Sequence, residues 1–450
     1  MNTMGVPRTG QHRYGFDGAT LLVIWTLLLI LVPANLVVAP LGAAGSPAEL
    51  LGLVAGAWWL ATLLNRTQTQ LMPIDPVRIA ATVFFIAILL SYIAAATRPM
   101  EAIETSAADR GLLIVVSWLG ITVLTSDGIL ARPRLDSVMR VLVAATGLAA
   151  LLGVIQFVTD RAFVEELLIP GLSWNGSPTS AFSRNGLARA SGTSTHPIEF
   201  GVLLTMILPL ALHLAFTDAR SRVLRWWPVI AIAAAIPVTM SRSTFLGLAL
   251  VLGILMPTWS KRRRRFAYLW LTVGGLAVYS AVPGLLGTMG RLFTNISGDD
   301  SAQSRVDSLD IALHYALQHP LTGRGYATFL PRYRIFDNQY LGLLIEAGVI
   351  GVAALILLFI TGISVATKIR RTTAVPAEAS LAAALTATVA VAAMACAEFD
   401  AFSFPQVAGV LFFALGAIAA LSRTTRRHIQ QEMRSDFIAP STTPEVGSPP

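Results

Sequence analysis

The chain of 450 residues has little charge, almost no lysine and a single cysteine. Only 13% of its residues are charged, whereas soluble globular proteins carry about 25%, so the composition excludes an ordinary soluble enzyme. Cys396 on its own forms neither an internal disulfide nor a cysteine-based zinc site, and we expect it to pack as a small apolar residue. The sequence also has no metal-ligand spacing, no P-loop, no Ser-His-Asp pattern and no dinucleotide fingerprint. We therefore predict no metal and no cofactor.

Long apolar runs take the place of the missing charge. Hydrophobic residues make up 54% of the chain, and runs of about 20 of them recur from end to end, each long enough to span a bilayer as a helix. We predict an all-α polytopic membrane protein with about 12 transmembrane helices. Residues 1–17 form a polar N-terminus, 18–421 one membrane domain, and 422–450 a tail that we expect to be disordered. Two long outer loops cover about 159–195 and 285–336.

The basic residues indicate an orientation. The net charge is +8, and the 33 basic residues comprise 31 arginines and 2 lysines. With both termini in the cytoplasm, 22 basic residues fall on inner segments and 11 on outer ones, as expected for a multi-pass protein of the cytoplasmic (inner) membrane. Topology explains the run KRRRR at 261–265, with binding of anionic lipid headgroups as the alternative. Membrane lipids are thus the expected partners of this charge, and nucleic acid is not.

The eleven outer arginines are concentrated in the two long loops, with Arg242 alone in the turn MSRST. Because guanidinium groups bind phosphate oxygens in pairs, such a concentration favours a phosphate-bearing ligand. For any single loop arginine, pairing with a carboxylate or a lipid phosphate is the preferred interpretation. For Arg242 the ligand is preferred, since a tight turn with little water makes an uncompensated cation costly. The loop members are Arg161, Arg184, Arg189, Arg291, Arg305, Arg324, Arg332 and Arg334.

The second long loop is predicted to contain a short amphipathic helix over 301–318. Val306, Leu309, Leu313 and Leu317 recur at helical spacing, so we expect their face to be buried. Arg305 lies one turn before Leu309 and would then point inward. The segment TGRGY at 322–326 follows, and its glycines allow a tight turn whose backbone N–H groups could face an anion.

Four polar positions stand out where two predicted spans begin. Asp337 and Asn338 lie at the outer end of the tenth span, and Glu346 lies nine residues deeper, roughly 13 Å along the helix axis. A carboxylate at that depth is a functional candidate, with structural pairing as the alternative. Asp337 could simply cap the helix. His196 opens the sixth span, and a lone histidine in a loop is more often structural than catalytic.

Taken in order, four stretches of this chain resemble the bacterial O-antigen ligases and O-antigen polymerases. They are RASGTSTHPIEFGVLL at 189–204, MSRSTFLGLAL at 240–250, SRVDSLDIALHYALQHPLTGRGYATF at 304–329 and DNQYLGLLIEAGVIG at 337–351. The resemblance extends over about residues 140–420. It implies an integral membrane glycosyltransferase that takes a glycan from a polyprenyl-diphosphate carrier and needs neither a nucleotide sugar nor a metal.

The resemblance also implies roles for particular residues. Arg242 and Arg305 match the hairpin and loop arginines that bind the pyrophosphate in that family. Asn338, Gly348 and Gly351 fit the spacing of a ligase motif in which Asp337 replaces a histidine. A carboxylate can also accept a hydroxyl proton, so Asp337 becomes the candidate that activates the acceptor. Further candidates for substrate binding are Arg189, His196, Arg324, Asn338 and Glu346.

The predicted function is therefore transfer or polymerisation of a glycan onto an acceptor hydroxyl at the outer face of the cytoplasmic membrane. The acceptor would be a glycan or a lipid, and Asp337 in place of the histidine favours a polymerase-like or generic enzyme over a ligase. The main alternative is a transporter of polysaccharides or lipid-linked sugars, which would place polar residues at the bilayer midplane on broken helices. A structural component of a wall-building complex is a third possibility.

Overall fold

The computed structural model describes residues 17–65, 75–176, 183–184, 187–281 and 300–438, and most of these residues are helical. Nine α-helices precede the second long loop. They are α1 Gly18–Leu31, α2 Pro47–Leu64, α3 Pro76–Ala96, α4 Ala102–Gly128, α5 Arg132–Thr159, α6 Pro197–Thr217, α7 Arg222–Val238, α8 Arg242–Leu255 and α9 Lys261–Ala281. The other four are α10 Asp300–Gln318, α11 Gln339–Thr372, α12 Pro376–Glu398 and α13 Pro405–Ile438.

Short 3₁₀ helices and two small antiparallel ladders accompany the α-helices in the described ranges. Strand β1, Leu36–Val37, pairs with β2, Ser173–Trp174, and so ties the segment after α1 to the first long loop. Strands β3, Ser183–Arg184, and β4, Leu187–Ala188, form a hairpin within that loop.

Eight helices of the described chain, α2 to α6 and α11 to α13, are long and apolar enough to cross a membrane. This confirms the prediction of an all-α polytopic membrane protein. Helices α1 and α8 are apolar but shorter, and α9 begins with five basic residues. The count of twelve spans therefore stays a prediction.

The first helix is short, and the last one is longer than predicted. Helix α1 ends at Leu31 because Pro33 follows and holds Val32 in an extended conformation. Helix α13 continues to Ile438, so residues 422–438 are helical rather than part of a disordered tail. Residues 439–450 and 1–16 lie outside the described ranges.

Helices α13 and α6 form the centre of the bundle. In the most apolar 18-residue window of each, 94% and 83% of the residues are buried. Helix α13 packs against α4, α12, α3 and α6, and α6 packs against α12, α7 and α8. Gln406 at the start of α13 donates to Leu29 O and Thr193 Oγ1, and its backbone N–H donates to Glu199 Oε1. These bonds fix the first turns of α13 and α6 beside the end of α1.

Candidate functional site

The starts of α8 and α11 meet at the C-terminal end of α12. Arg242 is the first residue of α8, and the next residue, Ser243, donates from Oγ to Glu398 Oε2 at 3.4 Å. Asn338, just before α11, donates from Nδ2 to Ala397 O at 3.2 Å. Because Ala397 and Glu398 are consecutive, the segments that carry Arg242 and Asn338 contact the same turn. We call this turn, Ala397–Glu398, the α12 end.

Asn338, and not Asp337, caps helix α11. Asn338 Oδ1 accepts hydrogen bonds from the backbone N–H groups of Tyr340 and Leu341 at 3.0 and 3.1 Å. Asp337 precedes the cap, is exposed, and has a left-handed backbone with φ of 47°, which is uncommon for a residue other than glycine. The alternative that Asp337 is a helix cap is therefore wrong, and capping does not occupy its carboxylate.

Two carboxyl groups that sequence reasoning had missed, those of Glu398 and Asp400, lie at this place. Partial burial and the nearby charge of Asp337 raise the pKa of Asp400, which also accepts a hydrogen bond from Ser403. The available signal was the position of the two carboxylates, directly after a long apolar span at its outer end. Glu398, Asp400 and Asp337 thus give the α12 end an acidic side.

Arg189 lies against the hairpin that carries Arg242, and His196 lies close enough to Arg189 to be affected by its charge. Arg189 Nε donates to Thr239 O at 3.1 Å, and the neighbouring Ala190 N donates to Val238 O. The ring of His196 lies 6.2 Å from that of Phe404, which precedes α13. The structure therefore brings Arg189 to the hairpin and His196 near Arg189, which the sequence order alone did not reveal.

His196 is neutral near pH 7. Burial and the positive charge of Arg189 lower its pKa to about 4. Its Nδ1 accepts a hydrogen bond from Ile198 N at 3.0 Å and caps α6, so the ring proton of the neutral form is on Nε2. His196 can donate one hydrogen bond to a sugar or phosphate oxygen but supplies no charge for phosphate binding.

Arg324 lies in a separate network at the start of α4. Its Nη2 donates to Glu104 Oε1 at 2.5 Å, and Glu104 also accepts from Tyr333 at 2.9 Å and from Arg98 at 3.3 Å. Glu104 is only 3% exposed. Arg332, nearby, pairs with Glu101 in an exposed contact. Arg324 is therefore paired with a carboxylate, as preferred for a single loop arginine, and this pair connects its loop to α4.

Helix α11 is broken at Gly348, and a loop of the chain fills the break. Gly348 has φ of 63° and ψ of −166°, and a Cβ there would lie 2.3 Å from Leu321 O. Val349 N and Ile350 N donate to Pro320 O and Leu321 O, 2.9 and 3.2 Å away. We call this pairing of residues 319–325 with residues 345–350 the clasp.

The clasp also accounts for the glycines of TGRGY. The N–H of Gly323 donates to His319 O, that of Arg324 to Ile345 O and that of Gly325 to Glu346 O, at 2.9 to 3.0 Å. The expectation that these N–H groups face an anion is therefore wrong, because each already has a carbonyl partner.

Glu346 is tied to the same loop. Its Oε1 accepts from Phe329 N at 3.3 Å, and its carbonyl oxygen accepts from Ser91 Oγ at 2.6 Å. These contacts match the structural alternative for this deep carboxylate.

Helix α10 turns a different face to the protein than its leucine spacing predicted. Leu309, Leu313 and Leu317 are 47%, 43% and 75% exposed, whereas Ala312 is buried with Phe336 and Ile345. Small side chains let α10 approach closely, which outweighs the larger apolar area of the leucines. Arg305 lies on this helix, but its side chain is outside the described residues, as are Arg291 and the side chain of Arg184.

Residues 227–356 match the family model described as O-antigen ligase. The matched range contains α8 with Arg242, helix α10, the clasp and the first half of α11. The match covers 130 of the 450 residues and agrees with the resemblance to O-antigen ligases. The general activity that it supports is O-antigen ligase-like glycan transfer by a multi-pass membrane protein. No curated protein matches the chain.

Proposed function

We propose that the protein transfers or polymerises a glycan from a polyprenyl-diphosphate carrier onto an acceptor hydroxyl at the outer face of the cytoplasmic membrane. One observation carries this proposal. The segments of Arg242 and Asp337, almost a hundred residues apart in the chain, both contact the α12 end. A cation suited to a diphosphate and a carboxylate suited to a hydroxyl therefore belong to one region of the molecule.

Arg242 is proposed to hold the diphosphate. It is the first residue of α8, where the positive end of the helix dipole adds to the charge of the guanidinium. As the bond between the sugar and the diphosphate breaks, negative charge grows on the leaving phosphate, and a fixed cation there stabilises the transition state more than the ground state.

Arg305 is proposed as the second cation. Position 305 is seven residues, about two helical turns, before Ala312, so the two positions share one face of α10. Ala312 lies on the face that packs against α11. That placement directs position 305 to the side of α10 where α11 begins.

Asp337 is proposed to orient the acceptor hydroxyl and take its proton. The hydroxyl oxygen attacks the anomeric carbon, the bond to the phosphate oxygen breaks, and the diphosphate leaves on its lipid. His196 donates its Nε2–H to a sugar or phosphate oxygen. Asn338 and Arg189 position this site through their bonds to Ala397 O and Thr239 O, while Arg324 and Glu346 hold the clasp beside it. Without the histidine of the ligase motif, we favour a polymerase-like reaction.

The test measures lipid-linked glycan in cells that carry single variants of the full chain. Arg242→Ala, Arg305→Ala and Asp337→Ala should each accumulate lipid-linked repeat units and lose the longer or transferred product. Arg332→Ala is the matched control, an outer arginine whose contact with Glu101 is exposed. If all three variants transfer glycan at the wild-type rate, these roles are wrong.

The break in α11 is the one feature that favours a transporter, since transporters bind substrate at broken helices. Here, however, the backbone groups at the break bond to residues 320 and 321 of the same chain. Sidedness of the carrier separates the two functions. A deletion strain of a transferase accumulates the lipid-linked glycan on the outer face, and that of a transporter accumulates it on the inner face.

A further inference from the structure

A cavity of about 300 Å³ lies at the opposite end of the bundle from the α12 end. It is enclosed by the last turns of α6, α8 and α11, the start of α9 and the first turns of α12. Its polar lining includes Arg263, Arg370, His213 and Ser380, with Trp259 among the aromatic residues. None of these takes part in the proposed transfer reaction.

The lining carries two cations and no carboxylate. Arg263 and Arg370 both face the cavity, and its lining includes neither Asp nor Glu. The guanidinium of Arg263 lies 4.6 Å from the centre of the Phe216 ring. His213 Nδ1 is 2.9 Å from Ser380 Oγ, so the cavity also has a polar wall. The space is therefore suited to an anion.

Several arginines that lie near the cavity end of the bundle are paired with acids instead. Asp127 accepts from Arg78 at 3.0 Å and from Arg423 at 3.4 Å. Asp218 binds Arg140 and Arg220 in the same manner, at 3.0 and 2.8 Å. Unlike these pairs, Arg263 and Arg370 share a cavity that has no acid in its lining, which suits a counter-charge from outside the chain.

The position of Arg263 also favours an anion in the cavity. It lies in the first turn of α9, which starts with KRRRR and contains no acidic residue. Positive charge is unfavourable at the positive end of a helix dipole, and a bound anion relieves this. The positive-inside rule explains the number of basic residues at this end, but it does not explain why two of them line one cavity.

We propose that the cavity binds the phosphate group of an anionic phospholipid from the adjacent leaflet, between Arg263 and Arg370. Basic pockets between membrane helices bind such headgroups, and tryptophan is enriched at the headgroup level, where Trp259 would lie. A phosphate group is the shared chemistry of a lipid headgroup and of free phosphate. The geometry favours the lipid because the cavity lies among helices that face the bilayer.

The test titrates the purified full chain in detergent with phosphatidylglycerol, phosphatidylcholine or inorganic phosphate and counts bound lipid by native mass spectrometry. The double variant Arg263→Gln/Arg370→Gln should bind phosphatidylglycerol about 30-fold more weakly, which corresponds to about 2 kcal/mol. The matched control is Arg262→Gln/Arg371→Gln, which removes the same charge from exposed neighbours outside the cavity and should change binding less than threefold.

A third variant tests whether lipid binding depends on the space in the cavity as well as on its charge. Ala379→Phe fills the cavity and keeps every cation, so it should weaken phosphatidylglycerol binding as strongly as the double variant. Equal weakening in the two double variants would assign binding to the surface charge and overturn the proposal. So would equal affinity for phosphatidylcholine, or competition by inorganic phosphate, which would make the ligand a free ion. Unfolding temperatures without lipid show that each variant is folded.

Discussion

Arg242 and Arg324 were both candidates for substrate binding, yet the structure places them in different surroundings. The guanidinium of Arg324 is bonded to the buried Glu104, which two further donors also contact. Arg242 begins α8 beside the α12 end, where the next residue is bonded to Glu398. The bond to Glu104 makes Arg324 part of the fold, whereas we propose that Arg242 serves the ligand.

The burial of Glu104, the partner of Arg324, limits what Arg324 can bind. Glu104 is 3% exposed, so drawing Arg324 onto a ligand would leave a buried carboxylate with less compensation, which is costly. A residue held in this way positions its loop and has little freedom to follow a substrate. Substitution of the two arginines should therefore affect glycan transfer and stability to different extents.

The largest effect is expected for glycan transfer by Arg242→Ala. Removing one fixed charge-stabilising group from a transfer site typically costs about 10²- to 10³-fold in rate, and we expect a loss of that size here. Arg324→Ala should keep transfer within about tenfold. The measurement is the transfer rate from a lipid-linked donor in proteoliposomes, normalised to folded protein. Equal losses of transfer rate per folded protein in the two variants would remove the distinction between the two arginines.

The next largest effect is expected on stability, for a substitution in the clasp to which Arg324 belongs. Gly348→Ala adds a Cβ 2.3 Å from Leu321 O in a backbone region almost restricted to glycine, so we expect a loss of at least about 2 kcal/mol in unfolding free energy. Gly342→Ala is the matched control, because a Cβ there meets nothing within 4 Å. Thermal unfolding in detergent should show a lower Tm for the first variant alone.

Sequence reasoning predicted the helical membrane class well, because apolar runs of bilayer length have few alternative structures. It also selected the α8 turn and the start of α11, which the structure brings to one helix end. It missed the break at Gly348, because a helix with a left-handed glycine is stable only when another segment satisfies the freed backbone groups. Leu321 and Pro320 supply those contacts from 27 and more residues away, and no local pattern reveals this.

The orientation of α10 and the partner of Arg324 could not be predicted for a related reason. The leucine spacing indicated which face is most apolar, but close approach of Ala312 to α11 decided which face is buried. The carboxylate of Glu104 lies 220 residues from Arg324 in sequence. Both outcomes depend on which surfaces meet, and hydrophobic periodicity does not encode that choice.

A smaller effect on stability should appear in Arg324→Ala. The truncation leaves Glu104 with Arg98 and Tyr333 as partners, so we expect a loss of about 1–2 kcal/mol in unfolding free energy rather than the full penalty of an isolated buried charge. Arg332→Ala breaks an exposed pair and should cost less than about 1 kcal/mol. In the double variant Arg324→Ala/Glu104→Gln the loss should shrink, and its persistence would show that Arg324 stabilises by other contacts.

The smallest expected effect concerns His196, on the Arg242 side of the contrast. Its pKa falls from 6.5 to about 4 on folding, so the unfolded chain binds the proton more strongly. This contribution to stability is complete above pH 6.5 and is lost as the pH falls from 6.5 towards 4. For a half-buried ring we expect a loss of about 1 kcal/mol in unfolding free energy at pH 5.

His196→Asn keeps a cap acceptor but does not titrate, so the drop in Tm between pH 7.5 and pH 5 should be smaller in this variant than in the wild type. Identical drops in the two proteins would mean that the ring is not held neutral beside Arg189. A protonated His196 could then bind phosphate together with Arg242.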